Sequence, residues 1–412
     1  MAYKINFEFL DNDAIENAIT CLNYEMDKVI FFGEEELINQ KRESLRKFLP
    51  ECCNVGKRAG LSPEEAVTFV AVSDNSLEDV IKDMHDVITS EEKKGNQLFF
   101  DITGGEGMTL LAFGILAKEL GKPMHLYDVE TGKLKEFFAD GVQNISVAGK
   151  KHSPKWDLDV FVKMQGGEID EKRSKAHKTH HTKDEIKDLE NLWNVCKKYR
   201  RYWTGFSSLL AFFKAEGKSL IYTGSIESIR AKLDSEHFGQ RKVDKEWIVE
   251  REAMPLFKEM LKACKEEGLL TRLEEKTNKG NTKTLSYTYK SEFMFSCLTE
   301  AGNALEQHVY LKEMAKNPID CRMGIHINWE NGKTSPVINE VDVFVLQGYV
   351  PVFISCKAGK SDKLSNDDLY ELETIAQRFG GKYAKKVFSI INEWYDTQKE
   401  RAADMGIEVR VE

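Results

Sequence analysis

The 412-residue chain has no pair of cysteines at C-x-x-C spacing, although it holds eight: Cys21, Cys52, Cys53, Cys196, Cys264, Cys297, Cys321 and Cys356. That argues against a zinc site or a disulfide framework. The cysteines read as reduced thiols of a cytoplasmic protein. No apolar run approaches the length of a membrane span, and the opening Met-Ala-Tyr-Lys-Ile-Asn carries no signal-peptide pattern, so no membrane partner is expected. An excess of positive charge is also missing. The net charge of −9 argues against a generally basic nucleic-acid coat, but leaves room for a local basic channel or a metal-bridged phosphate contact. Neither a P-loop nor G-x-G-x-x-G is present, so ATP hydrolysis and NAD binding have no support. What remains is an ordinary globular composition, 41% hydrophobic and 31% charged, at a length that suits two or three domains.

The most informative stretch covers residues 339–360. Two β-rich runs, 341–346 and 350–356, flank Gln347-Gly348 and predict a β-hairpin. Asp342 lies near the start of the first strand and Lys357 at the end of the second, so a carboxylate and an ammonium group meet at one end of the hairpin. Charges beside otherwise apolar strands are costly without a partner. This arrangement resembles the PD-(D/E)XK nuclease core, which implies acidic ligands for a divalent metal and a lysine that helps activate water. The resemblance departs from the pattern at Ser355-Cys356-Lys357, where serine stands in place of a carboxylate. A hydroxyl is a weak ligand for Mg²⁺ or Mn²⁺. The following helix offers replacements. Leu369, Leu372, Ala376 and Phe379 form its apolar stripe, and Glu371 and Glu373 lie about 100° to either side. Either glutamate can serve as a migrated ligand, with Glu371 favoured. Glu306, on a helix predicted over 300–310, is the further candidate that the resemblance suggests. Metal ligands are thus expected at Asp342, Glu306 and Glu371. His308, two residues on, is expected to be structural.

Residues 1–150 alternate strands (4–9, 28–32, 66–72, 98–102, 124–127) with helices, which predicts a parallel sheet with helices on both faces. Ligands of such sheets bind beyond the carboxyl ends of the strands. Three polar loops gather there: Asp11, Asn12 and Asp13; Ser73, Asp74 and Asn75; and Thr103, Gly104, Gly105, Glu106 and Gly107. In the last, glycines allow close backbone approach, and amide groups at a helix start attract phosphate. The run Phe100-Asp-Ile-Thr-Gly-Gly105 resembles the strand and loop of CARF domains, the CRISPR-associated Rossmann-fold sensors of cyclic oligoadenylates. The resemblance departs at Glu106 and Gly107, where those domains often have threonine and lysine. A glutamate facing phosphate is repulsive, so Glu106 is expected to turn toward ribose, base or a backbone amine.

Residues 151–183 read as a polar linker. Its clustered histidines, His177, His180 and His181, lack a partner cysteine and do not read as a metal site. Residues 184–290 read as a helical, winged-helix-like module: helices over 184–198 and 247–268, then strands near 269–275 and 284–289. Lys197-Lys-Tyr-Arg-Arg-Tyr-Trp203 mixes cations and aromatics in a composition suited to phosphate contact and base stacking. Residues 291–412 complete an α/β domain around the hairpin.

The expected fold class is therefore α/β: an N-terminal Rossmann-like sheet, a winged-helix-like insert and a restriction-endonuclease-like C-terminal domain. In this order the parts resemble the CARF-nuclease effectors of type III CRISPR defence. The resemblance implies a homodimer that binds a cyclic oligoadenylate, cyclic tetra-adenylate by preference, across paired sensor domains. It also implies Mn²⁺- or Mg²⁺-dependent cutting of nucleic acid, DNA first and RNA as a second substrate. Two rivals share parts of the pattern. A transcription regulator would keep the sensor and winged helix with an inactive C-terminal core, and a restriction-type nuclease would cut without an activator.

Overall fold

The nearly unbroken Val, Ile and Phe of β2 (Lys28–Gly33) mark a strand covered on both faces, and β1 (Lys4–Phe9) is equally covered although Asn6 and Glu8 alternate with its Ile and Phe. The computed structural model describes residues 2–73, 76–137, 143–147, 156–174, 181–213, 220–278, 280–328, 338–359, 366–392 and 394–412; for 143–147 and 338 only the backbone is considered. The N-terminal unit runs β1, α1 (Ile19–Asn23), β2, α2 (Glu35–Cys53), α3 (Pro63–Ala66), β3 (Val67–Ala71), α4 (Leu77–Lys93), β4 (Gln97–Asp101), α5 (Gly107–Glu119), β5 (Met124–Asp128), β6 (Lys133–Phe137) and β7 (Gln143–Val147). Its strand order is β3-β2-β1-β4-β5-β6-β7, with the first five parallel and the last two added antiparallel. The order reverses between β1 and β4, which places a crevice at the carboxyl ends of those two strands. The helix between β1 and β2 forms only from Ile19. Before it, Asn17 accepts from the Asp11 amide (2.7 Å), Asp11 from the Asp13 amide (2.8 Å) and Asp13 from the Ile15 amide (3.3 Å). Short polar side chains here offer the backbone partners that a helix would otherwise supply.

The segment expected as a linker is built into the C-terminal sheet in its described part. Asp157 caps α6 (Leu158–Met164), and β8 (Glu168–Ile169) pairs with Ile327 and Asn328. His177 and His180 lie outside the described residues, and His181 packs edge-on against Tyr310. The middle module comprises α7 (Lys183–Lys198), α8 (Trp203–Phe212), β9 (Ile221–Ser225), α9 (Ile226–Ser235), β10 (Gln240–Val243), β11 (Glu246–Val249), α10 (Ala253–Glu266), β12 (Leu270–Thr277) and β13 (Lys283–Tyr289). Helices with a three-stranded β12-β13-β9 sheet make a winged-helix-like arrangement. The helix expected over 247–268 starts late, at Ala253. Asp244 and Lys245 both take positive φ (47° and 72°) and turn the chain, and Trp247, Ile248 and Val249 pair back onto β10.

The C-terminal unit contains α11 (Glu292–Thr299), α12 (Asn303–Met314), β14 (Asp320–Asn328), β15 (Ile338–Gln347), β16 (Val350–Lys357), α13 (Asn366–Gly380), β17 (Lys385–Ile390), α14 (Asp396–Asp404) and β18 (Ile407–Val411). Its sheet has the order β18-β17-β16-β15-β14-β8, antiparallel from β14 to β16 and parallel from β16 to β18. The predicted stripe of α13 is buried as expected: Leu369 0%, Leu372 4%, Ala376 0% and Phe379 0% exposed. Burial of side chains such as Leu and Phe contributes roughly 1.5–3 kcal/mol each.

Three apolar clusters hold these units together. One lies between α4, α5 and the N-terminal sheet, and a second joins the middle module to the face of the C-terminal sheet carrying α12. The third runs from the opposite face of the N-terminal sheet into the C-terminal sheet under α13, and includes both Leu10 and Phe379. Polar contacts cross the same boundary, with the Tyr349 hydroxyl donating to Asn23 Oδ1 at 2.7 Å. Among the described residues, no helix is long and apolar enough to cross a membrane.

Candidate active site and ligand pocket

Backbone pairing between β15 and β16 stops at Val343–Ile354, although both strands continue. Past that point β15 stays with β14 and β16 with β17, so a cleft opens between the two. Asp342 sits in the opening. Its carboxylate accepts the Cys356 amide at 2.7 Å and the Ser355 hydroxyl at 3.3 Å, taking over an N–H that the splayed strand no longer satisfies. Glu340, Asp342, Ser355 and Lys357 from the strands, with Asp368 and Glu371 from α13, surround a cavity of about 240 Å³. Phe353, Leu372 and Ile375 contribute its apolar wall.

The electrostatics of this cavity favour a cation. Burial pushes the Asp342 carboxyl above its usual range, and the Cys356 amide and the Lys357 charge offset this only in part. The Lys357 Nζ lies 3.1 Å from Asp368 Oδ1. Burial alone would lower its pKa, but the charges of Asp342, Asp368 and Glu371 prevail and raise it. Three carboxylates thus share one ammonium group, with Glu340 in the same lining. Oxygen donors of this kind suit Mg²⁺ or Mn²⁺ in chemistry. In the arrangement described, no group of three or more His, Cys, Asp and Glu side chains stands ready as a metal site among the described residues. The donors are held instead by Cys356, Ser355 and Lys357.

The expected ligands separate on folding. Asp342 and Glu371 share the cavity with Lys357. Glu373 pairs with Lys386 on β17 and does not line it. Glu306 lies in the first turn of α12, which packs on the other face of the sheet, and its carboxylate sits against Gly302. It is near enough to act on the Cys356 thiol, which burial and the charges of Asp342, Glu306 and Glu412 push well up, but it does not line the cavity either. Sequence reasoning missed Asp368 and Glu340. Asp368 is three residues before Glu371, hence on the same helix face. Glu340 is two before Asp342, hence on the same strand face. His308 stacks on Trp193 at 4.1 Å and contacts Glu412 at 3.4 Å, a structural placement.

The second cavity, about 290 Å³, lies at the carboxyl ends of β1 to β4. Of the predicted loop residues, Asp11, Asn12, Ser73, Gly105 and Glu106 line it. Asp74 and Asn75 lie outside the described residues. Asp13, Thr103, Gly104 and Gly107 do not line it. Thr103 is a lock: its amide donates to Asp101 (2.8 Å) and its hydroxyl accepts from the Tyr127 amide (2.9 Å). Gly104 packs against Asp11 and Glu16, where an added Cβ would come within 3.1 Å of the Asp11 Cβ. Gly105 needs to be glycine, because its φ is +107° and a Cβ would lie 2.8 Å from that of Phe9. Its amide donates to Asp11 at 3.2 Å. Glu106 is the N-cap of α5 but accepts no capping bond through its side chain, which leaves the amides of the first turn open to a ligand. The lining carries Asp11, Glu34, Glu36 and Glu106 and no lysine or arginine among the described residues. At the rim, Lys41 donates to the Asn12 carbonyl at 3.0 Å.

No protein-family model matches the chain, and no curated protein matches it in sequence. In fold it is similar to protein VC1899 from Vibrio cholerae, with a TM-score of 0.64 at 15% identity over 98% of this chain and 93% of that one. It is also similar to Can2 from Sulfobacillus thermosulfidooxidans, solved in complex with cyclic tetra-adenylate, with a TM-score of 0.60 at 14% identity over 99% of this chain and 93% of that one. The likeness extends through all three units and establishes the architecture.

Proposed function

We propose that the chain is a nuclease of the CARF-effector kind, switched on by a cyclic oligoadenylate and acting in type III CRISPR defence. The splayed β15–β16 cleft carries this reading, since it joins Asp342, Lys357, Asp368 and Glu371 on a fold shared with a protein solved with cyclic tetra-adenylate. Asp342, Asp368 and Glu371, with Glu340 at the edge, are the side chains that would hold Mn²⁺ or Mg²⁺. Glu306 is too far round the sheet to be a first choice. When bound, the metal supplies a nucleophilic water at neutral pH and neutralises charge on the scissile phosphate.

The protein's own share follows from the cavity. Lys357 has its pKa raised, so it remains an ammonium group at neutral pH. It therefore orients the water and stabilises charge that develops on phosphate, and does not act as a base. Asp368 and Glu371 are the acceptors for the water proton. Phe353, Leu372 and Ile375 limit water around them. The substrate is DNA, with RNA as a second class.

The N-terminal pocket takes the activator, cyclic tetra-adenylate by preference. Its acidic lining favours recognition of ribose and base by carboxylates, with phosphate held by the amides at the start of α5. A symmetric ring suits a homodimer, in which each protomer contributes the same loop. Met108 (41% exposed) and Leu111 (55%) on α5 beside the pocket offer apolar surface for that pairing.

The test is cleavage of plasmid, single-stranded DNA and RNA with Mn²⁺ or Mg²⁺, with and without each cyclic oligoadenylate. Ligand-stimulated, chelator-sensitive cutting is expected. Ligand binding without cutting would favour the transcription-regulator reading, and cutting indifferent to ligand would favour an unregulated nuclease.

A further inference from the structure

We propose that the contact of Asp13 and Glu16 with Lys382 and Tyr383 is the element through which occupancy of the N-terminal pocket sets the position of α13, and with it Asp368 and Glu371 in the cleavage cavity. The inference rests on the proposed function and names how its two sites communicate.

One side of the contact is a buried turn. Asp13 is 7% exposed and Glu16 2%. Asp13 Oδ2 accepts the Lys382 amide at 2.9 Å. Glu16 accepts Lys382 Nζ at 2.8 Å through one oxygen and the Tyr383 hydroxyl at 2.6 Å through the other. Burial pushes both carboxyls up, and the Lys382 and Tyr383 contacts pull in the other direction. Two desolvated acids are thus held by one short segment of the C-terminal unit, a pairing that is costly to break from either side.

That turn continues into the ligand pocket. Asp11, which lines the pocket, accepts the Asp13 amide through one oxygen and the Gly105 amide through the other. A phosphate reaching Gly105 competes with Asp11 for the same N–H and repels its carboxylate. Any shift of Asp11 is carried two residues along to Asp13, because Asn17 ties both to one frame by donating to the carbonyls of Asp11 (2.7 Å) and Asp13 (3.3 Å).

The other side is the end of α13. Gly380 closes the helix and Gly381–Tyr383 follows as a 3-10 turn. Gly381 has φ +60°, and a Cβ there would lie 2.1 Å from the Asp13 carboxylate, so the two units meet backbone to side chain. Gly380 is equally tight, with Phe353 2.8 Å from a Cβ position. The 15 residues of α13 form a rod of about 22 Å, of which about 18 Å separates Gly380 from Asp368. Since Leu372 and Ile375 line the cavity and Phe379 is buried beside the contact, the helix moves as a unit.

The experiment is hydrogen exchange of the full-length chain with and without cyclic tetra-adenylate, run beside cleavage. It compares wild type with the double variant Lys382→Met, Tyr383→Phe. In wild type the ligand is expected to change exchange both in the pocket loops and in α13. In the double variant the loop response persists, while the α13 response and the stimulation of cutting fall at least tenfold. Lys382→Arg retains most of both. Tyr383→Phe alone removes one hydrogen bond and provides a milder version of the same readout should the double variant fold poorly. An unchanged α13 response in a folded variant overturns the proposal, as does a wild type whose loops respond while α13 does not. A wild type with no response to the ligand anywhere overturns instead the sensor reading beneath it.

Discussion

The Lys357 ammonium group on β16 lies 3.1 Å from the Asp368 carboxylate on α13. This bond joins the strand lysine to a helix carboxylate. It also places the lysine's counter-charge on the element whose far end touches the N-terminal unit.

Lys357→Ala and Asp342→Ala are expected to fail differently. Loss of the ammonium group should lower the cleavage rate about 10²-fold or more, with no recovery at high Mn²⁺, because a charge-stabilising group is gone and metal ligands remain. Loss of Asp342 should be partly recovered by excess Mn²⁺. Rate against Mn²⁺ concentration separates the two, and wild-type cutting by Lys357→Ala would end the assignment of this cleft.

The helix carboxylates should sort by where they point. Asp368→Ala and Glu371→Ala are expected to lower cutting by about 10-fold or more. Glu373→Ala should leave cutting intact and lower stability by roughly 1–2 kcal/mol, since Lys386 loses its carboxylate and keeps only the Met405 carbonyl. Equal loss of activity in Glu371→Ala and Glu373→Ala, measured beside thermal melts, would contradict the geometry.

Asp342 links the cleft to pH. Burial holds its folded-state pKa above the unfolded value. The folded state then binds the proton more tightly, so this group's contribution falls as pH rises from the usual carboxylate range through the raised value. Asn in its place cannot ionise. Asp342→Asn should therefore melt higher than wild type at pH 7.5 without metal, by about 2 °C or more, with the gap closing near pH 3.5. Mn²⁺ should raise the melting temperature of wild type and not of the variant.

At the pocket, Glu106→Gln removes one of the lining carboxylates that accept from ribose and base and should weaken cyclic tetra-adenylate binding several-fold. Gly105→Ala should weaken binding at least tenfold and also cost about 1–3 kcal/mol of stability, because of its φ of +107° and the approach to Phe9. Calorimetric titration with melts in parallel checks both. Unchanged affinity in Gly105→Ala would remove this loop from the site.

Much of this was legible from local pattern. Short β-rich apolar runs mark β15 and β16, the 3.6-residue stripe marks α13, and strand-helix alternation marks the N-terminal sheet, because each is dictated by which side chains must leave water. Where short polar side chains or a tight turn compete for the backbone, the pattern misled. Asn17, Asp11 and Asp13 delay α1, and Asp244-Lys245 turns Trp247–Val249 into a strand where a helix was expected. Asp13 was expected at the pocket for its polarity, but it faces Gly381 and Lys382, 368 and 369 residues away in the chain.

The sequence by itself determined most of the elements, their α/β class and the pair Asp342 and Lys357, since hairpin register follows from the two runs and the turn between them. Tertiary structure decided which acids join that pair. Glu371, Glu373 and Glu306 are chemically equivalent in sequence. Only the packing of α13 and α12 on opposite faces of one sheet brings Glu371 and Asp368 to the cleft, turns Glu373 to Lys386 and leaves Glu306 outside. A carboxylate's role depends on the charges and the solvent around it, and those come from parts of the chain that only folding brings together.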